Sequence, residues 1–198
     1  MIKVFTLELS NISSADIDSA INSLPEWRRE QALRFKHEQG RKECAFSYLL
    51  LFQSIKAEFG IEVQPKFIIG EHGKPTLEGY PHIHFNLSHC KHCIACAVSD
   101  SEVGVDIECT GRYREQLARH TMNEEEMQSI LSAEDADLAF TRLWTQKEAA
   151  FKLTGNGITD DIKNILFMHN IYICTHENPS SRFVVSVASH HSEKPVFM

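Results

Sequence analysis

The sequence of 198 residues lacks any apolar run of the roughly 18–20 residues that a membrane-spanning helix requires. Its opening segment, MIKVFTLELSNIS, alternates like a β-strand and lacks the apolar block and small-residue cleavage site of a signal peptide. We therefore expect a cytoplasmic protein without a membrane partner. Low-complexity segments and Ser/Gly linkers are also missing, which favours one large domain or two small ones.

The sequence has no basic surplus either, since its formal net charge is −7. Residues 1–100 carry 11 Lys and Arg against 12 Asp and Glu, and residues 101–198 carry 9 against 15. Non-specific binding of nucleic acid needs a basic face, so we expect no nucleic-acid partner. The acidic second half suits a metal site, whereas a phosphate ligand must find its cations locally.

Six cysteines in a cytoplasmic chain are better interpreted as free thiols than as disulfides. Cys90, Cys93 and Cys96 have the spacing that opens an iron–sulfur cluster motif, but the fourth Cys followed by Pro is missing. The segment around them is typical of an apolar strand, on which positions 93 and 96 point to opposite faces. Buried strand thiols are therefore favoured, with a metal cluster as the open alternative.

Hydrophobic periodicity predicts an alternation of helices and strands. The predicted helices span residues 13–24, 25–35, 39–59 and 135–154, with one or two short helices within 112–132. Strands are predicted at the N-terminus and at 66–69, 84–88, 93–98, 103–108, 165–168, 171–174 and 183–188, and residues 70–75 as a loop. Gly60 and the run Gly155-Asn156-Gly157 are expected to end the two long helices.

A faint internal repeat links the two long helices. Ala45-Phe46-x-x-Leu49 in the first matches Ala139-Phe140-x-x-Leu143 in the second, 94 residues later, and each helix is followed by Gly and then strands. The repeat suggests two similar lobes with a cleft between them. We place their boundary after residue 101, giving an N-terminal lobe of residues 1–101 and a C-terminal lobe of residues 102–198.

Two carboxylates, Asp106 and Glu108, alternate on a predicted strand and so share one of its faces. Two negative charges at such a short distance repel each other unless a cation lies between them. Mg²⁺ is the natural occupant, because it is commonly held by one or two carboxylates together with substrate phosphates. An exposed strand edge with solvated acids is the alternative.

The second long helix carries an unusual mixed stripe. Trp144, Lys147, Glu148, Phe151 and Lys152 fall within about 140° of one face at 100° per residue. A surface helix normally separates its charges from its aromatic residues, so this stripe indicates a site. An ordinary i,i+4 pair of Glu148 with Lys152 is the alternative.

The segment Phe85-Asn86-Leu87-Ser88-His89 ends a predicted strand in a hydroxyl and an imidazole. Both groups are suitable hydrogen-bond donors to phosphate. The alternative is a histidine that merely caps a turn, which is the commoner role of an isolated His.

Four motifs in this order resemble the 4′-phosphopantetheinyl transferases, and among them the single-chain, pseudo-dimeric Sfp-type branch. They are Gly73-Lys74-Pro75, Asn86-Leu87-Ser88-His89, Gly104-Val105-Asp106-Ile107-Glu108 and Trp144-x-x-Lys147-Glu148-Ala149-x-x-Lys152. The resemblance covers roughly residues 25–168. It implies an α+β fold of two similar lobes related by a pseudo-two-fold axis, each a small sheet packed on a long helix, with coenzyme A in the cleft between them.

The resemblance also implies roles for individual residues. Asp106, Glu108 and Glu148 would hold Mg²⁺ against the pyrophosphate of coenzyme A, and Lys152 would contact that pyrophosphate. Ser88 and His89 would bind the 3′-phosphate end of coenzyme A, together with Lys74 and the loop around it, which includes Pro75. Arg28 and Arg41 would supply further phosphate or nucleotide contacts. Gly40 stands where the family often has Asp, Gln53 where it commonly has Arg, and Gln31 where some relatives have a cation.

The reaction implied is attack by a serine of an acyl or peptidyl carrier protein on the β-phosphorus of coenzyme A. Phosphopantetheine moves to the serine and 3′,5′-ADP is released. Such transfer depends mostly on positioning and charge neutralisation. Glu148 is the candidate base, directly or through water, and Lys152 stabilises the leaving group. The branch implies a monomer.

Two other functions fit some of the same residues. A Mg²⁺-dependent nuclease also uses Asp-x-Glu with a later Glu and Lys, although the net charge of −7 argues against it. A non-catalytic coenzyme A-binding module is the second alternative. For the carrier itself, the segment from Cys109 to Met122 is the predicted docking surface, because it contains Arg112, Arg114 and Arg119 beside apolar residues and one acid.

Overall fold

The computed structural model describes residues 1–70, 73–155, 161–168, 170–178 and 183–198. Within these ranges the helices are α1 Ser14–Ser23, α2 Glu26–Leu33, α3 Glu38–Phe59, α4 Glu115–Thr121, α5 Glu124–Ser132 and α6 Ala136–Thr154. The strands are β1 Ile2–Glu8, β2 Phe67–Ile69, β3 Pro75–Leu77, β4 His84–His89, β5 Cys93–Ser99, β6 Val103–Cys109, β7 Tyr172–Asn178, β8 Phe183–Ser189 and β9 Val196–Phe197.

The first sheet has four strands in the order β4-β5-β1-β9. β5 runs antiparallel to both β4 and β1, and β9 runs parallel to β1. Alternation along β5 sends Ile94, Cys96 and Val98 to the face that α3 covers, where they pack with Leu51 and Ile55 of that helix. This face is the core of the N-terminal part of the chain.

The second sheet is antiparallel, in the order β6-β8-β7, with Asp106 opposite Ser186. Ala149 and Leu153 of α6 pack on one face with Ala188 of β8. The other face meets the first sheet in a shared apolar core, whose buried members are Ile2, Val4, Cys90, Cys93, Ala95, Ala97, Val103, Val105, Ile107, Phe183, Val185 and Val187. The layers therefore run α3, first sheet, second sheet, α6.

This arrangement confirms the α+β class and the packing of a small sheet on each long helix. The pseudo-two-fold relation and the division after residue 101 stay predictions. The sequence did not predict β9. This strand, Val196–Phe197, pairs with β1 in the first sheet, so residues from both sides of the division share one sheet. No helix within the described ranges combines the length and the apolar character that crossing a bilayer would take.

The cysteine pattern folds as predicted, with Cys93 and Cys96 on opposite faces of β5. Cys93 lies in the core shared by the two sheets, and Cys96 lies on the side of α3. All six cysteines are free thiols.

One strand prediction is wrong. Residues 165–168 were expected to be a strand, but Ile165–Phe167 form a 3₁₀ turn. Only Ile165 of this segment is buried, against Ala150 and Phe151 of α6, whereas Phe167 is exposed. In a strand these two side chains would lie on the same face, so the segment lacks the alternation of buried and exposed residues that a strand shows. β3 was also missed, because it consists of only three residues, the first of which, Pro75, ends the predicted loop.

Several turn predictions can be compared with the structure only in part. α6 ends as predicted at Gly155, whose φ of 73° is left-handed. Glu71 and His72 of the predicted loop, and Asn156 and Gly157 of the predicted helix stop, lie outside the described residues.

Gly104 allows α6 to lie directly on β6. A Cβ at this position would stand 2.1 Å from the carbonyl oxygen of Ala149 and 2.5 Å from the backbone nitrogen of Leu153. Both contacts are to helix backbone, which cannot rotate away as a side chain can. Glycine is therefore required here by close approach of two backbones.

Gly104→Ala should destabilise the protein by roughly 3 kcal/mol or more, or prevent folding, because the added methyl must push α6 off β6. Chemical denaturation followed by circular dichroism measures the change. Gly70→Ala is the matched control, since a Cβ there meets only the Lys74 carbonyl, at 3.2 Å. Equal losses for the two variants would contradict this account of the contact.

Candidate active site

Three distant segments bring a hydroxyl, a carboxylate and an ammonium group together. Ser88 near the end of β4 donates to Asp106 Oδ1 of β6 at 2.7 Å. Lys152 Nζ, in the last turn of α6, lies 2.6 Å from the same oxygen and 2.8 Å from Ser88 Oγ. The resulting cluster links both sheets and the second long helix.

Asn86 explains why β4 and β6 meet at this point. Its side-chain oxygen accepts a hydrogen bond of 2.9 Å from the backbone N–H of Val105. β4 and β6 are edge strands of different sheets, so this bond substitutes for strand pairing. Because side chains alternate along β4, Ser88 points the same way as Asn86 and reaches Asp106. The Asn-x-Ser spacing was the available sequence signal for this positioning role.

Asp106 is the most deeply placed carboxylate of the site, with 4% of its surface exposed. Its Oδ1 accepts from both Ser88 and Lys152, whereas its Oδ2 is buried and has no hydrogen-bond partner among the described residues. A buried carboxylate oxygen without a partner is costly. The remaining ligand capacity of Asp106 is therefore the clearest mark of a cation site.

The pKa values of Glu108 and Glu148 are both shifted by their burial and by the charge of Asp106. Burial, and then repulsion from Asp106, raise the pKa of Glu108 to about 7, although Arg112 and Lys152 oppose this shift. The same two causes raise the pKa of Glu148. Three carboxylates that share one region thus carry more negative charge than the neighbouring cations neutralise.

Arg112 is the cation nearest to Glu108. The two side chains form an ion pair, and the guanidinium lies 6.0 Å from the ring centroid of Trp144. From the sequence, Arg112 is predicted only as a surface charge of the docking segment. Met122, predicted in the same segment, is instead buried with Ala118 and Met127.

The donor chemistry of the site fits Mg²⁺, which prefers carboxylate oxygens. The buried, unpartnered Oδ2 of Asp106 supports the fit. Among the residues that the structure describes, no three His, Cys, Asp or Glu side chains stand in a finished ligand arrangement. Holding a cation would therefore require the carboxylates to draw together.

The charged residues of the mixed stripe of α6 have two different roles. Glu148 and Lys152 face the cluster, but Lys147 is fully buried on another side, where its Nζ lies 2.8 Å from Glu126 and donates to the carbonyl of Ile162 at 2.8 Å. Burial lowers the pKa of Lys147, and Glu126 opposes that shift. Lys147 therefore anchors α6 to α5 and to the segment that follows the helix.

Lys74 and Pro75 lie at the start of β3, beside a cavity of about 400 Å³. Lys74 Nζ donates to the carbonyl of Leu153 at 3.0 Å, one residue beyond Lys152. Burial lowers the pKa of Lys74, against the attraction of Glu102. Lys74 is thus held, with Pro75 beside it, at the C-terminal end of α6, against the residue that follows Lys152 of the cluster.

His89 follows Ser88 but points into a second cleft, of about 480 Å³, which Glu108 and Arg112 also line. The imidazole is half-exposed, and its Nδ1 lies 3.7 Å from Glu43 of α3. Its position at the mouth of a cleft suits the anion-binding role predicted for it.

Arg28 and Arg41 are held by contacts within the N-terminal helices. Arg28 donates to the carbonyl of Cys44 at 3.1 Å, its guanidinium lies 5.8 Å from the ring centroid of Tyr48, and burial lowers its pKa. Arg41 donates to the carbonyl of Phe35 at 2.9 Å. The structure does not bring either side chain to the Ser88 cluster by these contacts, so their predicted phosphate role stays a prediction.

The ring of Phe35 packs against Gly40, a position at which this chain departs from the family pattern. A Cβ at this position would stand 2.6 Å from Cδ1 of Phe35. The ring thus lies against the helix backbone where the family often has Asp.

Comparison with known proteins identifies relatives along most of the chain. The model of the 4′-phosphopantetheinyl transferase superfamily matches residues 102–194. The 4′-phosphopantetheinyl transferase psf-1 of Bacillus pumilus is 30% identical over 79% of this chain and 70% of its own length. The 4′-phosphopantetheinyl transferase Sfp of Bacillus subtilis (strain 168) is 27% identical over 67% and 60%. The 4′-phosphopantetheinyl transferase ffp of Bacillus subtilis is 25% identical over 91% and 79%.

Glu108→Gln should stabilise the metal-free protein at pH 8 by roughly 1–3 kcal/mol. Folding raises the pKa of Glu108 from 4.5 to about 7, so the folded state binds the proton more tightly and stability falls as pH rises through that window. The gain should therefore disappear below pH 4.5. Urea denaturation in EDTA at several pH values measures it.

Glu115→Gln provides the control for an exposed glutamate paired with an arginine, here Arg119. Its effect should stay within about 0.5 kcal/mol at every pH, as expected for a surface ion pair. A Glu108→Gln variant with the same flat pH dependence as this control would contradict the raised pKa of Glu108, whether burial or the charge of Asp106 is its cause.

Proposed function

Because the chain belongs to the 4′-phosphopantetheinyl transferase superfamily and is an enzyme of that class, we propose that its active site is the cluster of Ser88, Asp106 and Lys152 with Glu108 and Glu148. The substrates proposed are coenzyme A and a serine of an acyl or peptidyl carrier protein, and the products are the phosphopantetheinylated carrier and 3′,5′-ADP. The observation that carries this assignment is Asp106, a buried carboxylate with one oxygen bonded to Lys152 and the other unpartnered among the described residues.

We propose that coenzyme A lies between residues 1–101 and residues 102–198, as in a two-lobed, pseudo-symmetric enzyme. Ser88 and Lys74 come from the first part, and Asp106 and Lys152 from the second. A ligand that touches all four would bridge both parts. The nuclease and binding-module alternatives would use the same carboxylates and lysine, and membership of the transferase superfamily favours transfer over both. A cytoplasmic monomer stays the expectation.

Asp106, Glu108 and Glu148 are the proposed holders of Mg²⁺. When bound, the ion supplies positive charge against the pyrophosphate oxygens of coenzyme A. The unfavourable charge of these carboxylates supports the assignment, since burial and then repulsion from Asp106 raise the pKa of both glutamates. Glu108 would exchange its ion pair with Arg112 for that role.

Lys152 is the proposed pyrophosphate contact, and Ser88, whose hydroxyl lies beside the ammonium group of Lys152, is the proposed phosphate contact expected with His89 at the 3′-phosphate end. The ammonium group of Lys152 is partly exposed, with 28% of its side-chain surface accessible, so it can turn from Asp106 toward an anion. Ser88 can donate its hydroxyl proton to a phosphate oxygen in the same way. His89, Lys74 and Pro75 would extend the contacts toward the nucleotide end. Arg28 and Arg41 would first have to leave their carbonyl partners.

Glu148 is the proposed general base for the carrier serine. Burial and the charge of Asp106 raise the pKa of Glu148 in the metal-free site, and its role as proton acceptor competes with its role as a Mg²⁺ ligand. The proton of the attacking hydroxyl would pass to a carboxylate oxygen of Glu148, directly or through one water. The oxygen of the serine then attacks the β-phosphorus, while Lys152 stabilises the charge on the departing 3′,5′-ADP.

Asp106→Ala and Glu148→Gln should each reduce transfer at least about 100-fold, because one removes the central cation ligand and the other the proton acceptor. The assay follows phosphopantetheinylation of a carrier protein by mass spectrometry at saturating Mg²⁺. Addition of Mg²⁺ should raise the melting temperature of the wild type and of Glu115→Gln but not that of Asp106→Ala. Near-wild-type turnover of both site variants would refute the assigned site.

We further propose that exposed arginines of residues 109–122 contact an acidic carrier. Because Arg112 is paired with Glu108, its reversal would disturb the site, so Arg114 gives the cleaner test. Arg114 is exposed, and among the described residues it donates only to backbone carbonyls of its own segment, those of Gly111 and Tyr113.

Arg114→Glu should raise the KM for the carrier several-fold and leave the affinity for coenzyme A unchanged, because rim charges act mainly on association. Salt should weaken the wild-type interaction as exposed charges are screened. Lys194→Glu, an equal charge change beside a different cavity, is the matched control. An unchanged carrier KM at low salt would remove Arg114 from the docking surface.

A further inference from the structure

Three thiols meet where β4, β5 and β6 converge, and the proposed reaction uses none of them. Cys90 follows β4, Cys93 begins β5 and Cys109 ends β6. The sulfur atoms of Cys90 and Cys109 lie 3.1 Å apart. The backbone N–H of Cys90 donates to the carbonyl of Cys93 at 2.9 Å, which fixes the turn that presents the Cys90 thiol.

Cys90 and Cys109 both line the cleft of about 480 Å³, Cys109 half-buried and Cys90 with 8% of its surface exposed. Three basic side chains, His89, Lys91 and Arg112, line the same cleft, together with Glu43 beside His89 and Glu108 paired with Arg112. Cys93 belongs to the same core as Cys90 and is 2% exposed, but unlike Cys90 and Cys109 it does not line the cleft. A reagent in the cleft therefore meets Cys90 and Cys109 rather than Cys93.

The surroundings of Cys90 favour its thiolate form. Hydrogen bonds from the thiols of Cys93 and Cys109 and from the backbone lower its pKa, against the effect of burial. Thiolates are the species that attack disulfides, and a second thiol in contact can then resolve the mixed disulfide.

We propose that Cys90 and Cys109 form a reversible disulfide by exchange with a small-molecule disulfide such as oxidised glutathione. The sulfur of Cys90 attacks one sulfur of the reagent, breaks its S–S bond and releases the first glutathione thiol. Cys109 then attacks the sulfur of Cys90 and releases the second. Both protein thiols lose their protons to the two glutathione thiols, and the protein is oxidised by two electrons while the reagent is reduced by two.

The bond would change the geometry of the site. A disulfide holds its sulfurs at about 2.05 Å, so the two atoms must approach by about 1 Å from their separation of 3.1 Å. Cys90 follows His89, and Cys109 follows Glu108, so the shift acts on both strand ends that carry site residues. This consequence rests on the proposed function: the oxidised enzyme should transfer phosphopantetheine several-fold more slowly, and a reductant should restore the rate.

The test is peptide mapping of the full-length chain under non-reducing conditions after incubation with oxidised glutathione. A Cys90–Cys109 linkage is expected, together with a melting temperature raised by roughly 5–10 °C, because the cross-link closes a loop of about 20 residues. Cys93→Ala should keep the linkage. Cys109→Ser should instead accumulate glutathione on Cys90, because the resolving thiol is missing. Cys96→Ala, on the other face of β5, is the matched control and should behave as wild type.

Two results would overturn the disulfide: a Cys90–Cys93 linkage, or no linkage at all with no glutathione on Cys90 in Cys109→Ser. A mapped Cys90–Cys109 bond with an unchanged transfer rate would overturn the effect on catalysis. Failure of the proposed function is distinguishable, since a reduced wild type without transferase activity would still give the mapped bond.

Discussion

The contact between α6 and β6 at Gly104 is the constraint on which the site depends. The glycine lies against the backbone of Ala149 and Leu153, and the residues that precede them in sequence are Glu148 and Lys152. Asp106 lies two residues beyond Gly104 on the same strand. Fixing the two backbones at this distance therefore places a lysine within hydrogen-bond reach of a buried aspartate without any flexible loop between them. The ion pair of Lys147 with Glu126 holds the same helix from its other side, so the rotation of α6 about its axis is set by two unrelated contacts.

The electrostatics of this arrangement are unfavourable by themselves. Burial and the charge of Asp106 raise the pKa of both Glu108 and Glu148, and the cations present, Lys152 and Arg112, offset this only in part. A site that needs only stability would have paired or removed these acids, since an imperfectly compensated buried charge is destabilising. Retaining three carboxylates around one unpartnered oxygen is consistent with a region whose charge is balanced only when a cation and an anionic substrate are present.

The sequence predicted the parts of the site that depend on local periodicity. Alternation along β6 predicted that Asp106 and Glu108 share a face, and helical spacing placed Glu148 beside Lys152. The same helical spacing wrongly grouped Lys147 with them, because the arc of a helix face does not tell which side is covered by α5. The ion pair of Arg112 with Glu108 and the burial of Arg28 were not predictable in that way, since both depend on tertiary contacts. Strand β3, with three residues, carries too little pattern to be recognised.

The contacts between the two parts of the chain differ in how easily a substrate can replace them. Ser88 and Lys152 reach Asp106 through side-chain donors, and a phosphate oxygen can accept the same protons. Asn86 instead accepts from the backbone N–H of Val105, and Lys74 donates to the carbonyl of Leu153. Breaking the bond of Asn86 would leave a buried backbone donor unsatisfied, which costs more than exchanging one anionic partner for another. A substrate at the proposed site would therefore rearrange the cluster while β4 and β6 stay joined, which would keep the geometry that α6 and Gly104 set.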